Sequence, residues 1–230
     1  MVTDDAYIAR SLRLAGEWDA ALAILGDGDP ELYAEIAVDR WFFQIQAHDA
    51  AQDAVAALVP GTTTALILAA RLAYSRLLFG ADPRPNDRAD SEAAYRAAVE
   101  KAAADGDEAM RGWAEFHWGV LLDNVDEDTA AALPHYESAL DVAQKLDDHG
   151  FLESYVIRHL APQKEPAEQI RMLRRSLHLR GAIGARPQTV AAQAALADNL
   201  PEDDPERAML VEAFRAGAEE LRIGWLLSDD

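Results

Sequence analysis

A single recurring pattern limits what this chain can fold into. Small and large apolar residues set three or four positions apart recur six times: Ala21-Leu22-Leu25, Ala54-Val55-Leu58, Tyr95-Ala98-Val99, Ala132-Tyr136-Ala139-Leu140, Ile170-Leu173-Ser176-Leu177 and Val211-Phe214-Gly217-Ala218. Residues at that spacing share one face of an α-helix, so each copy is a stripe along a helix. The small side chains let a neighbouring helix approach closely, and the large one fills the gap beyond. The large residues fall at 25, 58, 95, 136, 173 and 214, in steps of 33 to 41 residues. A period of that length suits a helical hairpin too small to bury its own apolar face, which must stack on its neighbours in sequence.

The rest of the chain agrees. Alternating β-branched runs do not occur, and Ala, Leu, Glu, Arg and Gln, strong helix formers, dominate. Gly, Pro and Asp cluster between the helical stretches: GDGDP at 26–30, VPGTTT at 59–64, GADPRPND at 80–87, DGDE at 105–108, DNVDEDT at 123–129, APQKEP at 161–166, GARPQT at 184–189 and NLPEDDPE at 199–206. Each joins a helix stop to a capping residue for the next start. GDGDPE has too few alternating acids for a calcium loop and reads as a helix cap. About twelve helices in about six antiparallel hairpins are expected, as one array over residues 1–230. Pro134 sits shortly after a cap at Asp126 or Asp128 and reads as a first-turn proline or a tolerated kink.

Residues 8–25, IARSLRLAGEWDAALAIL, resemble a tetratricopeptide repeat (TPR). Ile8-Ala9 and Leu12 fit the signature of a first helix, Gly16 the turn, Trp18 the usual aromatic and Ala21 the small residue of the second helix. Leu72-Ala73 and Trp118-Gly119 repeat the first-helix signature. The C-terminal half also resembles repeat proteins of high-GC actinobacteria, with which the Ala, Asp and Arg bias agrees. The resemblance implies an all-α fold, a right-handed superhelix (α-solenoid) of about six stacked hairpins. It also implies a concave groove, lined by the first helices, that takes a protein or peptide partner.

Charge and composition narrow the function. Half of the residues are hydrophobic and 27% are charged, as in a folded globular protein. With 21 basic against 41 acidic side chains the net charge is −20, which disfavours phosphate backbones and anionic membranes alike. The absence of cysteine excludes disulfides, zinc fingers and thiol nucleophiles. The start, MVTDDAYIAR, has acids where a secretory signal carries base, and the most apolar run, TALILAARLAY, is interrupted by Arg71; the expected location is cytoplasmic.

Motifs for chemistry are missing. There is no His-Glu-x-x-His, no di-iron Glu-x-x-His, no phosphate-binding glycine loop and no nucleophile elbow, so no cofactor, metal or enzymatic activity is expected. His48, His117, His135, His149, His159 and His178 are scattered, and only His149 and Glu153 show a helical four-residue spacing to a carboxylate. Asp147-Asp148 lacks the further acids of an isoprenoid-synthase motif. An all-α enzyme using His149, Glu153 or Asp123 is the weakest of three alternatives.

Within the resemblance, placing each first helix by its turn residue directs Arg10, Arg13, Arg40, Arg71, Tyr74, Phe116, Asn124 and Arg158 towards the groove. Arginine gives bidentate hydrogen bonds to carboxylates, so such a groove suits an acidic peptide or a terminal carboxylate. The bland alternative pairs these arginines with acids of adjacent repeats. The leading expectation is a non-enzymatic protein-interaction module. The second is a ligand-sensing module in which Tyr74, Phe116 and Arg71 grip a small anionic metabolite. The stretch LRIGWLL closes the last hairpin or makes a homodimer contact.

Overall fold

The computed structural model describes residues 4–227, and among these it is entirely helical, without strands. Its α-helices are α1 (Asp4–Ala15), α2 (Trp18–Leu25), α3 (Pro30–Gln44), α4 (His48–Ala56), α5 (Thr63–Phe79), α6 (Asp87–Asp105) and α7 (Glu108–Asn124). They continue as α8 (Thr129–Ala143), α9 (Phe151–Leu160), α10 (Pro166–Ile183), α11 (Arg186–Asn199), α12 (Pro205–Leu221) and the short α13 (Gly224–Leu227), with one 3₁₀ turn at Ala161–Gln163. About twelve helices were expected, and thirteen α-helices are present among the described residues. No described helix is long and apolar enough to cross a membrane.

The stop and start signals act as their chemistry requires. Asp29 accepts from the Leu32 backbone N–H at 3.1 Å with Pro30 in the first turn behind it, which makes GDGDPE a helix cap. Thr62, Asp107 and Asp128 accept from Ala65, Met110 and Ala131 in the same way. Asp148 accepts from the Gly150 and Leu152 N–H groups, so the paired acids at 147–148 lead into α9. Pro134 lies beyond the first turn that Asp128 caps, inside α8, so it is an interior proline of that helix. His149 is in the left-handed turn ahead of α9, at φ 54°, and shares no helix face with Glu153.

The chain divides into two compact units, Asp49–His159 on one side and Met1–His48 with Leu160–Asp230 on the other. In the first, α5 packs along α6, α6 along α7 and α7 along α8, while α5 also lies beside α7. The stripes face inward: Tyr95, Ala98, Ala132, Tyr136 and Ala139 are all fully buried. Gly119 explains the spacing around Tyr136. A Cβ on Gly119 would stand 2.7 Å from the Tyr136 ring, so only glycine lets that ring lie across α7. The loop between α5 and α6 is fastened by a buried ion pair. Arg76 Nε donates to Asp87 at 2.8 Å, a second guanidinium nitrogen bonds the other oxygen, and the Arg84 N–H adds a third bond at 2.8 Å. Burial opposes ionisation of Asp87, but the hydrogen bonds from Arg76 and Arg84 outweigh it and hold the carboxyl below its usual range.

In the second unit the N-terminal and C-terminal segments share one core. Trp18, Ile36 and Phe43 from the start of the chain pack with Val190, Ala218, Leu221 and Ile223 from its end. Trp18 stacks on Phe43 at 5.6 Å, and Trp225 closes on Phe42 and Phe43 at 6.4 and 6.5 Å. Gln44 Nε2 donates to the Leu221 carbonyl at 3.1 Å. LRIGWLL therefore folds onto α3. A solenoid that contacts only sequence neighbours has no such core. Terminal hairpins expose an apolar face that needs a cover, and here the first and last hairpins cover each other. A second cluster gathers Leu173, Leu196 and Leu210 from α10, α11 and α12.

Candidate functional site

Five of the eight expected groove residues fall in the unit spanning Asp49–His159: Arg71 and Tyr74 on α5, Phe116 and Asn124 on α7, and Arg158 on α9. The structure joins them into one cluster. Asn124 Nδ2 donates to the Tyr74 hydroxyl at 2.8 Å. Phe116 lies 5.4 Å from the His159 ring and 6.1 Å from that of Tyr136. Tyr74 is buried, and its phenol is pushed up to about 12. Burial is the main cause, and Asn124, Arg158 and Arg71 draw it part of the way back.

At the centre is a polar chain that the sequence patterns did not bring out. The Tyr136 hydroxyl donates to Asp123 Oδ2 at 3.1 Å and stands 3.2 Å from His159 Nδ1. Thr129 Oγ1 donates to the other Asp123 oxygen at 2.7 Å. Arg158 Nη1 is 3.4 Å from His159 Nε2, and His159 Nδ1 is 3.8 Å from Asp123 Oδ2. The neighbouring imidazole, and then Thr129 and Tyr136, hold the Asp123 carboxyl below its usual range against the cost of burial. Burial, reinforced by the Asp123 charge, raises the Tyr136 phenol far above its ordinary value.

One signal for this arrangement is present in the sequence. Tyr136 meets His159, and Tyr95 stacks on His117 at 6.1 Å, so a stripe tyrosine twice meets a histidine from the following first helix. The separations, 23 and 22 residues, are almost equal. Beside the chain lies an aromatic cluster. Trp113 is 5.6 Å from Phe151 and 5.2 Å from Tyr155, and Phe116 is 5.5 Å from Tyr155, with Trp113, Phe151 and Tyr155 only partly buried.

The other three expected residues belong to the second unit, where each meets acids. Arg10 is 3.6 Å from Asp29, Arg13 bonds Asp39 at 2.6 Å and also Glu35, and Arg40 bonds Asp19 at 2.9 Å. Among the described residues no group of three or more His, Asp or Glu side chains is arranged to hold a metal ion. No protein-family model matches the chain, and no curated protein matches it either.

Proposed function

We propose that the chain is a non-enzymatic, TPR-like protein-interaction module, a right-handed array of about six hairpins that takes a peptide or partner protein on the face formed by α5, α7 and α9. The observation that carries this reading is the partly open cluster of Trp113, Phe151 and Tyr155, with Arg158 three residues on from Tyr155 in α9 and Arg71 in the same unit. Aromatic rings and arginine are enriched among the few residues that carry most of the binding energy at protein interfaces: the rings bury large areas at low rotamer cost, and guanidinium adds bidentate hydrogen bonds. Sequence-order packing of α5 to α8, and of α10 to α12, supports the repeat reading.

Paired baits test it. The wild-type chain and an Arg71→Glu/Arg158→Glu variant, each shown by circular dichroism to be folded, are used for affinity capture from native cytosol. Loss of the same proteins from the variant supports the proposal. Equal recovery on both baits refutes it.

The burial of Tyr74 beside Asn124, in reach of two guanidinium charges, favours a second reading: a ligand-sensing module for a small anionic metabolite. Small carboxylates at constant ionic strength should then raise the melting temperature of the wild type and not that of Tyr74→Ala.

A further inference from the structure

A cavity of about 390 Å³ lies between α5 and α6, within the range of about 300–1,000 Å³ usual for small-molecule sites. At about 100° per residue, its α5 members Ala69, Ala73 and Arg76 share one stripe, and Arg71 and Tyr74 point to the other side of the helix. Asp87, Asp90 and Ala94 form the facing stripe of α6, and the loop closes the end with Arg84 and Asn86. The three alanines leave an apolar recess. Ala69, Arg84, Asn86 and Asp90 are exposed, so the cavity opens to solvent.

Two of the four charged side chains satisfy each other in part. Arg76, whose side chain is only 6% exposed, bonds both oxygens of Asp87 through Nε and Nη2, and the Arg84 N–H completes the carboxylate. Arg76 Nη1 has no bond among the described residues, which leaves one donor of a buried cation in the cavity wall. Arg84 Nη2 donates to Gln52 of α4, which holds that guanidinium at the rim with its other nitrogens unbonded among the described residues. The Asp90 carboxylate has neither a hydrogen bond nor an ion pair among the described residues.

We propose that this cavity binds a free α-amino acid with an apolar side chain: Arg76 and Arg84 take the carboxylate, Asp90 the ammonium, and the alanine recess the side chain. The charges of the wall sum to zero, with donors and an acceptor left over on opposite sides of the account. An anion alone leaves Asp90 unpaired, and a cation alone leaves the guanidinium nitrogens unpaired; a zwitterion satisfies both. A residue inside a polypeptide carries neither charge and does not fit. Asp87 acts only by holding Arg76 in place. The site is separate from the face formed by α5, α7 and α9 and does not depend on the reading of that face.

The test is an NMR titration of the full-length, nitrogen-labelled chain with L-leucine and with its two halves. These are 4-methylpentanoate, which lacks the amine, and 3-methylbutylamine, which lacks the carboxylate. Leucine should shift the amides of residues 84–94 and the Arg84 Nε–H. Each half should bind there at least on the order of tenfold more weakly, as for the loss of one charged hydrogen bond. Asp90→Asn, checked by circular dichroism, should weaken leucine by the same factor and leave 4-methylpentanoate unchanged. Three results overturn the proposal: no shift of these resonances at millimolar leucine, equal binding of leucine and either half, or undiminished binding of leucine by Asp90→Asn. The comparison of leucine with its halves uses the wild type alone, so it decides the matter even if the variant does not fold.

Discussion

Two glycines should respond in opposite directions to the same substitution. Gly119 and Gly181 both lie within helices, α7 and α10. Replacing an interior helix glycine with alanine contributes up to about 1 kcal/mol of stability. At Gly181 nothing lies within 4 Å of the new methyl, so Gly181→Ala should stabilise by about 0.5–1 kcal/mol. At Gly119 the methyl meets Tyr136 Cε1 at 2.7 Å, Cδ1 at 2.8 Å and the Ala132 carbonyl at 3.3 Å. Ordinary carbon contacts are about 3.5–4.0 Å, and the Tyr136 ring cannot withdraw without breaking its bonds to Asp123 and His159. Overpacking of this kind costs about 1–3 kcal/mol, so after the helix gain Gly119→Ala should destabilise by about 1–2 kcal/mol. Urea unfolding followed by circular dichroism gives both values, as midpoint shifts at unchanged slope. If Gly119→Ala stabilises as Gly181→Ala does, the close approach of Tyr136 to α7 is wrong, and with it the reason for the stripe.

Two further substitutions probe buried polar groups. Asp87→Asn removes the charge opposite buried Arg76 and should cost about 3–5 kcal/mol at pH 7. The carboxyl's folded pKa is depressed, so its contribution is present above the ordinary carboxylate range and is lost as pH falls through the folded value. The gap between wild type and variant in a pH series of melting temperatures should therefore be widest near neutrality and close below about pH 4. Tyr95 is fully buried, which raises its phenol, and Arg71 and then Ser91 draw it part of the way back, while the hydroxyl meets no partner at full hydrogen-bond geometry. Tyr95→Phe should stabilise by about 1 kcal/mol in the same assay, since an unsatisfied buried hydroxyl costs about that much, and destabilisation would show that the hydroxyl has a partner.

Much of the fold was legible in the sequence because it is written in local chemistry. Helix periodicity, capping acids and the small-large stripe each act over three or four residues, and most of the helices follow from them, although no stop-start cluster marked the breaks between α3 and α4 or between α8 and α9. Gly119 and Gly217, picked out by their place in the pattern, prove to be where Tyr136 and Val190 press against a helix. Leu58, by contrast, lies past the end of α4, where the stripe had placed it on the helix. What periodicity does not carry is pairing across distance. Trp225 against Phe42 and Phe43 spans the length of the chain, and no local pattern distinguishes a covered terminal hairpin from a dimer surface. Side-chain partners were equally hidden. Arg13 and Arg158 both fall on first helices, but only coordinates show that one meets Glu35 and Asp39 and the other a histidine that ends in Asp123. His149 and Glu153 had the right spacing, and one left-handed residue before α9 removed its meaning.

The joining of the two chain ends in one core is what most separates this molecule from an open stack of hairpins, and native-state hydrogen exchange of Trp225→Ala tests it directly. Trp225 and Ile223 bind the C-terminal turn to α3, so removing the indole should lower amide protection in α1–α3 together with α11–α13, by a common free energy. Loss of protection confined to residues 222–227, with α1–α3 exchanging as in the wild type, would contradict a shared core.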